Sequence, residues 1–341
     1  MVGRTVTATA PGKAILFGEH AINRGQPALA TAVGLYARCR VTVAMERDYH
    51  LRSGARVEHI SGDALMTLAR AVDAQLVAGD YEAIRRLAAA DYFAPAKYVL
   101  ATAVEHGLPG GLEIAWESEA PGSSGLGSGG AAFVAMVAAI SMFLPQPPTL
   151  EERAAWAHRG DLIAHGGVAS ALDTQTSLFG GVIRFTGQGL ADPVACAPGL
   201  TLVIGNTNVL AATSEVNSGV RRWLAERPRA RMAYFEAIGA LGRAALPLLE
   251  RGEWAELGRL FTLNQLILDK IGVGCPEADT LIDAALEAGA WGAKVSGSGG
   301  GGIMIALVSP ETRSTVAEAI NAAGGVALLP EVGVAGVSTD V

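Results

Sequence analysis

Three charged side chains stand where charge is costly. Asp173 lies in Ala169-Ser-Ala-Leu-Asp-Thr-Gln-Thr-Ser-Leu-Phe-Gly-Gly181, a largely apolar run with no other charged residue. A carboxylate in such a setting must be paired, bind a metal or do chemistry. Lys13 lies in Ala10-Pro-Gly-Lys-Ala-Ile-Leu-Phe-Gly-Glu-His20, which adds Glu19 and His20 to one short stretch after an apolar strand. An ammonium near Asp173 would keep it ionised, ready to accept a hydroxyl proton, and could neutralise charge developing on a substrate oxygen. Asp161 comes four residues before His165 on a segment of helical character. Taken singly, each acid reads equally well as a solvated loop or helix charge, and the Lys13 segment as a surface turn.

Two glycine-rich loops supply a different chemistry. Pro121-Gly-Ser-Ser-Gly-Leu-Gly-Ser-Gly-Gly-Ala131 runs into an apolar segment. Glycines let backbone N–H groups converge, and a helix N-terminus adds partial positive charge, so Gly122, Ser123, Ser124, Gly125, Leu126, Gly127, Ser128, Gly129 and Gly130 could cradle phosphate. The pattern is neither a Walker motif nor a Rossmann fingerprint, and alone it could be a tight turn. The second loop, Lys294-Val-Ser-Gly-Ser-Gly-Gly-Gly-Gly302, joins two short apolar runs. Each glycine there costs about 0.5–1 kcal/mol of backbone entropy, an expense suited to close approach of a ligand. Ser296, Gly297, Ser298, Gly299 and Gly300 are its candidates.

The elements that must position these groups follow from pattern. Thr5–Ala10 and Ala37–Met45 read as strands, with a loop-rich stretch from Pro11 to Pro27 between them. Asp63–Ala78 and Tyr81–Ala90 carry helical spacing, and Leu112–Trp116 is a short strand feeding the first glycine loop. Thr149-Leu-Glu-Glu152 is a capping box opening a helix to about His165. Val182–Phe185 and Leu202–Ile204 read as strands, Ser214–Arg259 and Asp279–Ala288 as helices, and Trp291–Val295 and Ile303–Val308 as strands flanking the second glycine loop. A domain boundary is expected near Gly187-Gln-Gly189.

Composition narrows the class. The 341 residues are 50% apolar and 17% charged, enough apolar side chain for a deep core and against disorder. The formal charge of −7, without a basic run, argues against nucleic-acid binding. No charged residue occurs between Glu119 and Glu151, but Ala131–Leu144 falls short of the roughly 20 apolar residues of a membrane span, so a core helix is expected. Cys39, Cys196 and Cys275 are odd in number and far apart, which gives neither a disulfide framework nor a zinc spacing. The opening MVGRTVTATAPGK lacks the apolar core of a signal peptide, and a cytoplasmic protein is expected.

In combination the motifs resemble the superfamily of galactokinases, homoserine kinases, mevalonate kinases and phosphomevalonate kinases (GHMP kinases), most nearly its mevalonate kinase branch. The resemblance rests on Pro11–Ala21, Gly125–Ser128, His165–Asp173, Gly205-Asn-Thr207, Asn264-Gln265 with Ile271-Gly-Val273, and Gly289–Gly302, spanning nearly the whole chain. It implies an α+β fold of two domains, 1–187 and 188–341: a ribosomal-protein-like N-terminal, ATP-binding domain with a left-handed βαβ unit, and a ferredoxin-like C-terminal domain. It also implies transfer of the γ-phosphoryl group of ATP to the hydroxyl of a mevalonate-like alcohol, with Mg²⁺ as cofactor. Asp173 would be the catalytic aspartate, Lys13 its lysine partner, and Asp161 the metal ligand. Glu19, His20 and Thr207 would lie near the substrate, and the two glycine loops near the phosphates. The acidic balance leaves those phosphates to backbone dipoles and Mg²⁺. Gly129 stands where mevalonate kinases carry a metal-binding serine. A phosphomevalonate kinase, another GHMP kinase, an ATP-dependent mevalonate decarboxylase and a non-catalytic nucleotide-binding relative are the alternatives. Family members often form homodimers; neither nucleic acid nor membrane is expected as a partner.

Overall fold

A computed structural model describes residues 3–122, 125–210 and 213–340, the side chains of Thr213 and Ser214 aside. In chain order the elements are β1 (Thr5–Phe17), β2 (Ala28–Val43), β3 (Tyr49–Ser53), β4 (Arg56–Ile60), α1 (Gly62–Ala78), α2 (Tyr81–Ala90), α3 (Ala94–Glu105), β5 (Leu112–Ser118), α4 (Ser128–Ser141), α5 (Leu150–Ala164), α6 (Leu172–Phe179), β6 (Val182–Phe185) and β7 (Asp192–Pro193). They continue with β8 (Leu202–Asn206), α7 (Thr213–Glu226), α8 (Pro228–Arg251), α9 (Trp254–Lys270), α10 (Pro276–Glu287), β9 (Gly292–Ser296), β10 (Ile303–Leu307), α11 (Arg313–Ala322), β11 (Val326–Leu328) and β12 (Ser338–Asp340).

Two sheets organise the chain, as the α+β expectation requires. The first runs β12-β1-β2-β5-β3-β4, with β6 on β2 and β7 on β6; the second runs β11-β8-β10-β9. The second sheet is antiparallel throughout, and its order with α11 between β10 and β11 is the ferredoxin-like arrangement. A cut at 187/188 separates the sheets except that β7 and β12 join the first: the chain end returns to pair with β1.

Of the stretch from Pro11 to Pro27, only residues 18–27 are the loop that its Pro and Gly content suggests. β1 continues to Phe17, and β2 already starts at Ala28. A register shift at Pro11/Gly12 absorbs the proline while pairing resumes with Gly12 opposite Val33. Gly12 is needed because a Cβ there would lie 2.8 Å from the Leu126 carbonyl oxygen. That oxygen accepts the Lys13 backbone N–H at 2.8 Å. Lys13 is therefore held on a rigid strand.

The charge-free run resolves into α4, 14 residues long and buried along nearly its whole length. At 1.5 Å per residue it reaches only about 21 Å, less than a hydrocarbon core of about 30 Å. Longer and apolar enough to span by composition is α8. Its buried residues Phe235, Ile238, Gly239, Gly242, Ala245 and Leu249 recur at helical spacing, the pattern of an amphipathic helix on a core. The capping box forms as read: Thr149 accepts the Glu152 N–H at 3.2 Å and Glu152 accepts the Thr149 N–H at 2.7 Å. The three cysteines are free thiols.

Candidate active site

The structure brings Lys13 and Asp173 together from opposite ends of the first domain. Lys13 Nζ lies 3.2 Å from Asp173 Oδ1, with side chains 3% and 23% exposed. Asp173 is in the first turn of α6. Two glycines of α4 and its cap make the room. A Cβ at Gly127 would lie 2.7 Å from Lys13 Cγ, and one at Gly130 3.0 Å from Asp173 Cβ.

Two cavities meet at this pair. The larger, of about 1030 Å³, is lined by Gly125, Gly127, Ser128, Gly129 and Gly130 of the first glycine loop. The smaller, of about 160 Å³, is lined by Lys13, His20, Asp161 and Gly297 among others; both include Asp173, His165, Asn217 and Ser298. The first turn of α4 holds no acidic residue and no side-chain cap, so its free N–H groups and positive dipole end face the larger space. Arg85, Arg221 and Arg222 also line it. Side-chain cations thus join the backbone dipoles at the phosphate space, which the acidic overall composition does not show.

The remaining expected residues divide. Gly122 and Leu126 do not line these cavities; Leu126 packs in the core and lends its carbonyl to Lys13. Ser123 and Ser124 lie outside the described residues. In the second glycine loop Gly297 and Ser298 reach the cavities, whereas Gly299 and Gly300 serve packing. A Cβ at Gly299 would lie 2.0 Å from the Val273 carbonyl oxygen, which accepts the Gly300 N–H at 2.9 Å. Ser296 is a clasp rather than a phosphate ligand: its hydroxyl accepts the Ile15 N–H at 2.8 Å and donates to Ile15 O at 3.2 Å. Thr207 donates to Gly302 O at 2.9 Å and accepts the Val209 N–H at 3.2 Å, so its hydroxyl is spent on the turn after β8 and lines neither cavity.

Glu19 borders the smaller cavity, yet its carboxylate is sealed from solvent and paired with the equally sealed Lys294. Lys294 also donates to Val295 O at 2.6 Å and Ile15 O at 3.4 Å. Burial pulls the Lys294 ammonium below its usual value, against the opposing pull of Glu19. This clasp ties β1 of the first domain to β9 of the second. Lys294 stands in the second glycine motif with no role read for it there; its signal in the sequence is a lysine in an otherwise uncharged strand.

His20 adopts the left-handed backbone region, with φ of 58°. Burial lowers its imidazole to about 4, so it is neutral near pH 7. Its Nε2 lies 2.8 Å from Ser298 O, which can only accept, so Nε2 carries the proton and Nδ1 is left as an acceptor.

Asp161 is 1% exposed, and its Oδ1 has no hydrogen-bond partner. His165 Nδ1 lies 3.3 Å from that oxygen but points its hydrogen at the Asp161 carbonyl, 2.9 Å away. The Asp161 charge raises His165 to about 10. An orphaned buried carboxylate oxygen bordering the smaller cavity, which shares Asp173 and Ser298 with the glycine-lined one, fits a hard divalent cation. A Cβ at Gly129 would meet Asp161 Oδ1 at 3.8 Å, ordinary contact, so the serine missing there leaves space at the same spot.

Family models for the N-terminal and C-terminal domains of GHMP kinases match residues 88–181 and 245–326. The mevalonate kinase of Thermococcus gammatolerans is 33% identical over 333 residues, covering 96% of each chain. The chain belongs to the GHMP kinases. This GHMP kinase is also 32% identical to the mevalonate kinase of Pyrococcus furiosus over 96% of each chain. Among solved structures, Leishmania major mevalonate kinase in complex with R-mevalonate superposes with a TM-score of 0.72 at 25% identity, covering 92% of this chain and 90% of that one. The Methanococcus jannaschii mevalonate kinase gives a TM-score of 0.78 at 20% identity, with 94% and 96% covered, and supports the fold. The chain is accordingly a phosphotransferase with ATP as donor and an alcohol as acceptor.

Proposed function

We propose that this GHMP kinase phosphorylates the primary hydroxyl of mevalonate. The observation that carries the reading is the Lys13–Asp173 pair at the junction of a large glycine-lined cavity and a small one of about 160 Å³. The near full-length mevalonate kinase relatives support the choice of alcohol.

The chemistry follows from the geometry. The hydroxyl enters from the small cavity and hydrogen-bonds to Asp173. As its oxygen attacks the γ-phosphorus, its proton passes to the Asp173 carboxylate and the bond to the β-phosphate bridging oxygen breaks, releasing ADP. Asp173 then returns the proton to solvent. Lys13 holds Asp173 in place and steadies the alkoxide charge as it develops. At 3.2 Å and an effective dielectric of ~20, their gross attraction is about 5 kcal/mol, much of it offset by desolvation. The α4 N-terminus, Ser298 and the arginines of the larger cavity hold the phosphates in line. Asp161 and Ser128 would hold Mg²⁺, which supplies charge neutralisation on the phosphates when bound.

The test is incubation of the purified chain with ATP, Mg²⁺ and (R)-mevalonate, read by ³¹P NMR for a new phosphomonoester. A panel including homoserine, galactose and phosphomevalonate runs alongside. Turnover of another alcohol but not mevalonate would overturn the substrate assignment, and carbon dioxide release would identify a decarboxylase.

A further inference from the structure

The outer edge of the first sheet carries two histidines and a glutamate that phosphoryl transfer does not use. His50 of β3 and His59 of β4 are direct register partners in the hairpin, and their ring centroids lie 4.1 Å apart. Glu46, four residues before His50, brings its Oε2 to 2.9 Å from His50 Nε2. One ligand atom from each of the three lies within 4.8 Å of the other two. His50 Nε2 is sealed from solvent yet makes no hydrogen bond, because the nearby carboxylate is not aligned with it.

The backbone presets this arrangement. Tyr49 and Leu51 are buried in the core, so strand alternation puts His50 on the outer face, and pairing puts His59 beside it. The loop bearing Glu46 is pinned by Ala44 N–H to Gly111 O at 2.7 Å and Gly111 N–H to Arg47 O at 3.0 Å. This close approach needs Gly110 and Gly111, where a Cβ would lie 2.5 Å from the carbonyl oxygens of Arg47 and Glu46 respectively. Little backbone ordering remains to be done on binding.

We propose that Glu46, His50 and His59 bind one borderline transition-metal dication, Zn²⁺ being the reference ion, with water completing a tetrahedral shell. Two imidazoles and one carboxylate suit Zn²⁺, Ni²⁺ or Cu²⁺, whereas Mg²⁺ and Ca²⁺ require oxygen donors. The site is remote from catalysis. Lys13 pairs with Ala32 of β2, while His50 pairs with Glu113, which pairs with Thr42 of β2. The ten residue steps from Ala32 to Thr42, at ~3.3 Å each, put the two sites roughly 30 Å apart. The ion would act as a staple joining the β2–β3 connection to both strands of the hairpin.

The test uses the full chain, stripped with EDTA and dialysed, then titrated with ZnCl2 by calorimetry in excess Mg²⁺. Co²⁺ is titrated in parallel and read by its tetrahedral d–d absorption. The expected result is one equivalent bound, a raised melting temperature, and at least a ~10-fold weaker affinity in both His59→Ala and His50→Ala. His59 is exposed, so its variant keeps the fold, and its phosphotransfer rate should equal that of the unsubstituted chain. Absence of saturable binding would overturn the proposal. So would binding of unchanged affinity in both variants, which would place the ion elsewhere.

Discussion

Replacing Lys294 by Met tests whether the clasp between the two domains is electrostatic. Lys294 and Glu19 are both fully sealed from solvent, and Glu19 Oε2 has no hydrogen-bond partner even in the intact pair. Methionine fills a similar volume but leaves the buried Glu19 carboxylate without its partner, and two hydrogen bonds from Nζ to backbone carbonyls are lost. Breaking a buried pair from one side costs about 3–5 kcal/mol, whereas replacing both partners by apolar residues is often close to neutral. The single variant should therefore lose ~3–5 kcal/mol in urea unfolding, and the double variant Lys294→Met/Glu19→Leu should recover most of it. A single-variant loss under ~1 kcal/mol, or a double variant as unstable as the single one, would refute the assignment.

Three further outcomes follow. Lys13→Met should cut kcat by ~10²–10⁴ while calorimetry finds ATP affinity nearly unchanged, since Lys13 faces the alcohol; collapse of ATP binding would contradict this. Gly129→Ser meets only ordinary contacts at 3.8 and 4.0 Å, so it should fold normally and lower the Mg²⁺ concentration for half-maximal activity several-fold. An unchanged Mg²⁺ requirement would show that position 129 does not reach the ion. His20, held near 4 against about 6.5 unfolded, gives stability that is full above pH 6.5 and lost as pH falls toward 4, on the order of 3 kcal/mol. His20→Asn should flatten that part of the stability–pH curve.

The parts of the site that showed in the sequence were those with a visible local cost. Glycines at 125–130 and 297–302 and a carboxylate in an apolar run are expensive, and the structure puts several of them at one cavity. What stayed hidden was set by contacts distant in sequence. Ser296 and Lys294 read as loop and strand residues until β1, nearly 280 positions earlier, supplies their partners. Arg221 and Arg222 looked like ordinary helix charges, because nothing local says that α7 borders the phosphate space. The continuation of β1 through Pro11 and Gly12 was masked because both residues normally punctuate strands, and only the bulge against β2 and the Leu126 carbonyl explain them. α3 is buried from Ala94 to Ala103, so it carries no polar face and hence no helical period to read.

If Asp173, steadied by Lys13, takes the proton of a mevalonate hydroxyl as ATP gives up its γ-phosphoryl group, removing its carboxylate must slow that transfer. The most direct measurement compares ³¹P-detected turnover of (R)-mevalonate by the unsubstituted chain and by Asp173→Asn, with ATP affinity measured on both. The expected result is phosphomevalonate from the first, a rate lower by ~10²–10⁴ in the second, and similar ATP binding in the two. Equal rates in the two proteins, or no phosphorylation of mevalonate by the unsubstituted chain, would contradict it.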